Sequence, residues 1–485
     1  MVAAVGGAGP RDQRCFLVVM AIVTISLTGG VIYGWPSMRR ILRRDMLLLD
    51  PSCSSDLTIV CDEQERSFGL IFTMGAWCNQ GGRFFIGILL DRFGPKRTTA
   101  TCAACYGLGC LLFGLFTSLA PLVIGMSLIG LGGAGTQLAV QSVSSLFPSN
   151  KSLVMASLSG AFQAAVGLYL LFEVLHTSGI PRLALLLTHA GVTFTLALTS
   201  LFVWPHTTYG LQRTAQPTTV IANAQASAAS TEAIAVDAMA PEAVSVTAAA
   251  STSAPTMQTP KQVVPLQQRD FRGQATSPEF LLLLAYFSIN ALQCQFTVST
   301  VGLQFELKRD ADAAAAAAAA AASGALEGLD EASSGTSVDH ITRVFSLCQT
   351  LSFLVTPAIG SAFDRLGFAP SFFGINTLNL LVPVMLLLPS LDVQFFTCFV
   401  YAAGRVGLWS SFFAFTGATF GFKHYGKMAG GGLLVQSLIC LLVYPLLAAT
   451  LALDRDFTMV NALFLGLTTA QYATIFALHR LTKRG

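Results

Sequence analysis

Twelve windows of about twenty predominantly apolar residues recur along this chain, each long enough to cross the roughly 30 Å hydrocarbon core of a bilayer as a helix. They cover 15–38, 67–90, 98–118, 121–146, 152–175 and 182–204 in the first half. In the second half they cover 279–303, 342–363, 370–390, 394–420, 428–451 and 457–479. Backbone polar groups find no water in lipid, so such windows must be helices. The pattern predicts an all-α polytopic membrane protein with twelve transmembrane helices in two sets of six. Only 11% of the 485 residues are charged, against about 25% in a soluble domain, and the mean hydropathy is +0.64. A soluble enzyme, a nucleic-acid-binding protein and a secreted disulfide scaffold are excluded together. The net charge of +3 offers no surface for a polyanion. The first window outruns the apolar core of a signal peptide and is followed by eleven more, so it reads as a retained span.

The expected organisation is a cytoplasmic N-terminus (1–14), a six-helix bundle (15–204), a linker (205–278), a second bundle (279–479) and a cytoplasmic C-terminus (480–485). The linker is rich in Ala, Ser, Thr and Pro and lacks periodicity, a composition that predicts disorder. A low-complexity stretch at 305–340, with the ten alanines Ala313 to Ala322, reads as an outer loop insertion too weakly apolar to span, its local helicity left open although Ala favours helix. With the N-terminus inside, inner segments hold 16 of the 28 Lys and Arg residues and outer loops hold 10. That bias is blunted by Arg39, Arg40, Arg43 and Arg44, which fall just beyond the first window. The sequon at Asn150 lies in an inner loop, where it stays unmodified.

Most of the eleven cysteines sit in apolar windows. Cys102, Cys105 and Cys110 read as small packing residues, since a metal or redox site needs a polar setting and further ligands. Cys53 and Cys61 lie in the polar segment after the first window. A disulfide joins them if that segment faces outside.

Two segments repeat. Gly87-Ile-Leu-Leu-Asp91-Arg92-Phe-Gly94 is followed by Pro95, Lys96 and Arg97, and Gly360-Ser-Ala-Phe-Asp364-Arg365-Leu-Gly367 lies 273 positions later. Both match G-x-x-x-D-R-x-G, and both close the second helix of a six-helix set. Such register marks an internal repeat. As a latch, Gly87 admits a neighbouring helix. Asp91 faces a helix N-terminus, where a carboxylate gains roughly 0.3–1 kcal/mol. Arg92 and Arg97 meet headgroups or the other half. The second copy, with Asp364 and Arg365, lacks the following basic run and makes a weaker latch.

This turn resembles the loop signature of the major facilitator superfamily. The ordered set "YGWPSMRRIL", "CDEQERSFGLIFTMGAW", "GILLDRFGPKR" and "LFPSNKSLVMASLSGAFQAA" resembles the facilitative large neutral amino acid transporters. It is still more similar to their relatives, the apicomplexan amino acid transporter family. The R-x-G-R-R turn and P-E-S-P element of sugar porters are absent, as is the E-x-x-E-R run of proton-coupled peptide carriers. The resemblance implies two six-helix bundles, the major facilitator fold, rocking about a central site, with the turn stabilising one end state.

Polar groups within the windows are the candidate site. Gly29, Gly30, Gly34 and Pro36 predict a bend or break in the first helix, where freed backbone beside Tyr33, Gly34 and Trp35 can grip a zwitterionic head group. Gln137 and Gln141 share a face at i and i+4. Asn290, Gln293 and Gln295 interrupt the seventh window, and each of these amides either lines the site or glues helices together. Arg405, flanked by Gly404 and Gly407, either binds a substrate carboxylate in two-pronged fashion or braces backbone carbonyls. Arg83 either snorkels and pairs or lines the pathway. Glu173 is the only carboxylate well inside a window and a candidate for cation selectivity. His189 is a lone histidine, and no deep carboxylate relay appears, so facilitated diffusion or exchange is expected rather than proton coupling.

The expected activity is alternating-access transport of amino acids, large neutral or aromatic ones first and cationic ones with Glu173 as counter-charge. The alternatives are a carrier of another small solute, a nucleoside or a monocarboxylate, or a non-transporting receptor or scaffold. No cofactor, metal site or enzymatic residue set is expected. The partners are the small-molecule substrate and membrane lipid, not nucleic acid, and a monomer suffices. The expected location is the plasma membrane, with both termini cytoplasmic.

Overall fold

The computed structural model describes residues 10–51, 53, 60–147, 151–206, 266–323, 332–421 and 424–483. The first half of the chain builds α1 (Pro10–Thr28), α2 (Trp35–Arg44), α3 (Asp62–Leu115), α4 (Leu119–Val140), α5 (Lys151–Thr177) and α6 (Arg182–Val203). The second half builds α7 (Pro278–Ser323), α8 (Ala332–Leu351), α9 (Thr356–Leu366), α10 (Phe368–Leu387) and α11 (Leu391–Phe420). It ends with α12 (Tyr425–Cys440), α13 (Val443–Ala452) and α14 (Thr458–Thr482). Among the described residues, nine helical segments are long and apolar enough to cross a membrane, and a bent pair makes a tenth.

Twelve windows become this set of helices through four departures, one of them the break of the eleventh window between α12 and α13 at Leu441 and Leu442. The first window is the bent pair: α1 and α2 meet at 41° across the 3-10 turn Val31–Gly34. The break falls at the glycines that predicted it, and a side chain at Gly30 would strike the Phe162 carbonyl. The second and third windows are fused in the 54 residues of α3, which turns a corner at Gly94. The eighth is interrupted by the 3-10 turn Ser352–Leu354 before α9.

The repeat is visible in the backbone. Gly94 has φ 74° and ψ 173°, and Gly367 has φ 80° and ψ 176°. This region is open almost only to glycine and costs another residue about 1–3 kcal/mol. The last glycine of G-x-x-x-D-R-x-G therefore sets the corner between consecutive spans in both halves.

One expectation is filled in and another needs correction. The insertion at 305–340, whose local helicity the sequence left open, carries α7 on to Ser323 and the start of α8 at Ala332. Alanine is the strongest helix former, so the alanine run prolongs a helix already nucleated in the span. Residues 324–331 lie outside the described residues, as do 207–265 of the linker and Asn150. The linker's last part is ordered. Asp270 caps the one-turn helix Phe271–Ala275 by accepting from Gly273 N at 3.0 Å. Buried Gln274 donates to Leu266 O and to Phe420 O at the end of α11.

One large buried cluster includes apolar side chains of both halves, with Phe287 stacked on Phe412 at 4.2 Å. Between the halves, α3 lies against α12 and α5 against α8. Cys53 and Cys61 form a disulfide. Cys102 and Cys110 are free and buried, and no group of three metal-ligating side chains occurs among the described residues.

Candidate functional site

The break between α1 and α2 carries Tyr33 into the junction of the two halves, where it is 1% exposed. Its hydroxyl is a hub. Gln80 Nε2 of α3 donates to it, Gln295 Nε2 of α7 donates at 3.4 Å, and it donates to Asn79 Oδ1 at 3.4 Å. The guanidinium carbon of Arg405 lies 4.5 Å from the centre of the Tyr33 ring. Arg405 Nη1 donates to Gln163 Oε1 of α5 at 3.1 Å. Arg83 stands over the Phe162 ring at 5.6 Å and donates to Gln137 Oε1 at 2.7 Å and to Asn79 O at 3.2 Å. Residues of α3, α5, α7 and α11 thus converge on one turn.

The charge at this junction is one-sided. Neither Arg83 nor Arg405 forms an ion pair with a described carboxylate; their partners are amide and carbonyl oxygens and aromatic faces. Charge of this kind inside a span, buried at Arg405 and half-buried at Arg83, is expensive and marks function. The carbonyl oxygens Oε1 of Gln80 and Gln295 are buried without a hydrogen-bond partner among the described residues, although both amide nitrogens are used on Tyr33. The site combines two cations with unused acceptors.

Other predicted residues serve elsewhere. Trp35 packs on Phe68 and Phe72 at 6.4 and 5.7 Å in the apolar core. Gly34 sits under α5, where a Cβ would lie 2.5 Å from Val166 O. Gln293 is helix glue, donating to Asn379 O and accepting from Thr468 Oγ1, both at 2.6 Å. Asn290 donates to Tyr286 O of its own helix. Gln141 begins the 3-10 turn Gln141–Leu146 and is half-buried. His189 meets the Tyr106 hydroxyl at 3.2 Å inside the first half.

Glu173 is not alone, and the four arginines are not loop residues. α2 carries them as a continuation of the first span, in which Arg39, Arg40 and Arg43 are buried. Arg39 grips Glu65 (2.6 Å) of α3 and Glu306 (2.9 Å) of α7, and Arg43 grips Glu306 at 2.5 Å. Arg40 pairs with fully buried Glu173, which also takes Arg343 of α8 at 3.1 Å. Asp339 of α8 takes Arg44 at 3.0 Å and Arg40 at 3.6 Å. Arg455 bonds Asp62 at 2.7 Å at the same end. Every one of Glu306, Asp339, Arg343 and Arg455 belongs to the second half, and each partner named belongs to the first. The cluster therefore seals one end of the junction. The signal for it was R-R-x-x-R-R directly after a span, in the place where basic residues are least expected.

At the opposite end the repeated turn is exposed. Asp91, Arg92 and Arg97 face outward, and Lys96 N donates to Pro205 O at 3.1 Å. The expectation that Gly87 admits a close helix is corrected: a Cβ there, or at Gly360, would meet nothing within 4 Å among the described residues. The second half comes close to α3 earlier in that helix, with a Cβ at Gly81 lying 2.5 Å from Ser437 Oγ, but no described neighbour comes that close to these glycines. Arg365 is exposed, and the side chain of Asp364 lies outside the described residues.

A family model for the Major Facilitator Superfamily matches residues 63–442. The large neutral amino acids transporter small subunit 3 of Mus musculus is 24% identical over 208 residues. That match takes 40% of this chain and 37% of the relative, so it spans well under two thirds of the relative's length. Equilibrative nucleobase transporter 1 of Bos taurus is 22% identical over 502 residues, with 94% of each chain covered. Amino acid transporter 6-1 of Toxoplasma gondii is 21% identical over 489 residues, covering 96% of this chain and 79% of that one. The crystal structure of nucleoside transporter NupG shares the fold, with a TM-score of 0.58 at 12% identity over 97% of this chain and 99% of that one.

Proposed function

Because this chain belongs to the Major Facilitator Superfamily, we propose that it carries neutral amino acids across a membrane by alternating access. The observation that carries this reading is the pair of guanidinium groups, Arg83 and Arg405, without a carboxylate partner among the described residues and beside two amide oxygens that no described group uses. A zwitterion supplies what each lacks. Its carboxylate answers Arg405, with Arg83 near at hand, and its ammonium answers Oε1 of Gln80 and Gln295. The aromatic faces of Tyr33 and Phe162, 6.0 Å apart, favour large neutral side chains. Glu173, already held by two arginines, then works in the seal rather than in selecting cationic substrates.

In this reading the bundles 15–204 and 279–479 rock about the junction, and the chain acts as a monomer in the plasma membrane with both termini in the cytoplasm. The charged cluster closes the outer end and the inner end is the open one. Asp91 and Arg92, with the second copy at Asp364 and Arg365, latch the opposite state. With no carboxylate at the described centre, transport is facilitative uniport or exchange. A second reading, a nucleobase or nucleoside carrier, is favoured by the near full-length likeness to a nucleobase transporter. The amides and rings suit a base, but a neutral base leaves both arginines unanswered.

The test is uptake by oocytes expressing the chain, with labelled neutral, aromatic, cationic and acidic amino acids, nucleobases and nucleosides, across a pH step. Saturable, pH-insensitive uptake of neutral amino acids is expected, with trans-stimulation if exchange dominates. Uptake of a nucleobase but of no amino acid, with surface protein verified, overturns the reading.

A further inference from the structure

We infer that Gln349 of α8 is a substrate-recognition residue, spanning the carboxylate and the ammonium of a zwitterionic ligand; this rests on the amino acid reading of the central site. Gln349 is completely buried, yet neither its Nε2 nor its Oε1 has a hydrogen-bond partner among the described residues. Leaving one such group unsatisfied costs about 1–3 kcal/mol, and here both ends of one amide are unsatisfied. Helix glue does not explain it, because glue is bonded, as Gln293 is.

The neighbouring contacts place it. α8 and α11 run side by side in the same direction. Cys398 Sγ reaches Ile341 O at 3.9 Å, and one turn on the rings of Phe345 and Tyr401 are 4.9 Å apart. The next turn brings Gln349 on α8 beside Arg405 on α11, each four residues further along. The same stretch of α8 faces the first half. Ser346 Oγ meets Ser37 Oγ of α2 at 3.2 Å, and Thr350 lies where a Cβ on Gly167 of α5 would come within 2.8 Å of it. Gln349 therefore stands at the junction, level with the arginine to which a carboxylate is assigned. With Nε2 donating to that carboxylate and Oε1 accepting from the ammonium, it reads the two charged ends at their fixed separation. Arg405 alone cannot distinguish an amino acid from the same acid without its amine.

The test uses Gln349→Leu and Gln349→Glu in the full chain, with uptake kinetics for the best amino acid and competition by its des-amino carboxylate. Surface expression and thermal stability in detergent accompany both. Gln349→Leu is expected to raise KM at least about tenfold and to narrow the preference for the amino acid over its des-amino analogue, the acceptors on Gln80 and Gln295 remaining. Thermal stability should hold or rise, since an unsatisfied amide is replaced by an apolar group of similar size. Gln349→Glu, which keeps the acceptor and loses the donor, should favour the ammonium and weaken the bare carboxylate analogue most. Unchanged KM and unchanged preference in Gln349→Leu, with wild-type uptake intact, overturn the inference while leaving amino acid transport standing. Lost stability with unchanged preference likewise overturns it, as a purely structural role. If the wild-type chain takes up no amino acid, the proposed function fails first and this inference fails with it.

Discussion

Arg405 of α11 and Tyr33 of the first-span break touch across the junction of the two halves, guanidinium to ring face at 4.5 Å. A cation over an aromatic face gains about 0.5–2 kcal/mol, enough to orient the guanidinium but too little to neutralise it. Arg405 is thus held in place with its charge still unanswered.

Removal of that charge should abolish recognition rather than folding. Hydrogen bonds to a charged group contribute about 1.5–3 kcal/mol, so Arg405→Ala should lower kcat/KM for uptake about 10- to 100-fold. Arg405→Lys should recover only part of this, because an ammonium cannot make the two-pronged contact. Uptake kinetics at matched surface expression decide it, and a wild-type value for Arg405→Ala would exclude Arg405 from the site.

Tyr33→Phe keeps the ring under Arg405 and removes the hydroxyl. Gln80 and Gln295 then lose their shared acceptor, and each unsatisfied buried donor costs about 1–3 kcal/mol. The expected result is a lower melting temperature in detergent together with impaired uptake. An unaltered melting temperature would mean that the hydroxyl is not the hub.

The charged seal should open when its shared carboxylate is neutralised. Glu306 answers both Arg39 and Arg43, and breaking a buried pair costs about 3–5 kcal/mol because a buried charge is stranded. Ser37 lies fully buried against Ser346 behind this seal. Ser37→Cys should therefore resist a membrane-impermeant thiol reagent in the otherwise native chain and react readily when Glu306→Gln is added. Equal labelling in the two backgrounds would show that the cluster does not govern access.

Glycines within one motif should differ in tolerance. Gly94→Ala and Gly367→Ala force a side chain into positive φ and should destabilise by about 1–3 kcal/mol each. Gly87→Ala, with open space around it, should leave stability unchanged. Asp91→Ala, at an exposed carboxylate, should alter transport rate rather than thermal stability. Thermal melts and uptake on the four variants separate the cases.

The fold was legible because the bilayer leaves so few options: twelve apolar windows and one repeated turn suffice once soluble architectures are excluded. The bend at Gly29 to Gly34 could also be read from local sequence. What could not be read was which amides meet. Gln293, which glues α7 to its neighbours, looks no different in sequence from Gln80, Gln163 or Gln349, because an amide in an apolar helix is bonded or unbonded only through its tertiary surroundings. The arginines of α2 were misplaced for a similar reason. Their carboxylates, Glu65, Glu173, Glu306 and Asp339, come from four separate segments, and a hydropathy window ends where charge begins even when the helix does not.

The uninterrupted course of α7 has a mechanical consequence. Its 46 residues extend about 69 Å at 1.5 Å per residue, more than twice the thickness of a hydrocarbon core. Glu306 sits well along this shaft, and beyond it the helix continues for about 25 Å past the gate. A stiff rod rooted in the body and fastened to the seal is a lever. A load applied near its far end at Ser323 is carried along the helix to the residue that holds two arginines in place.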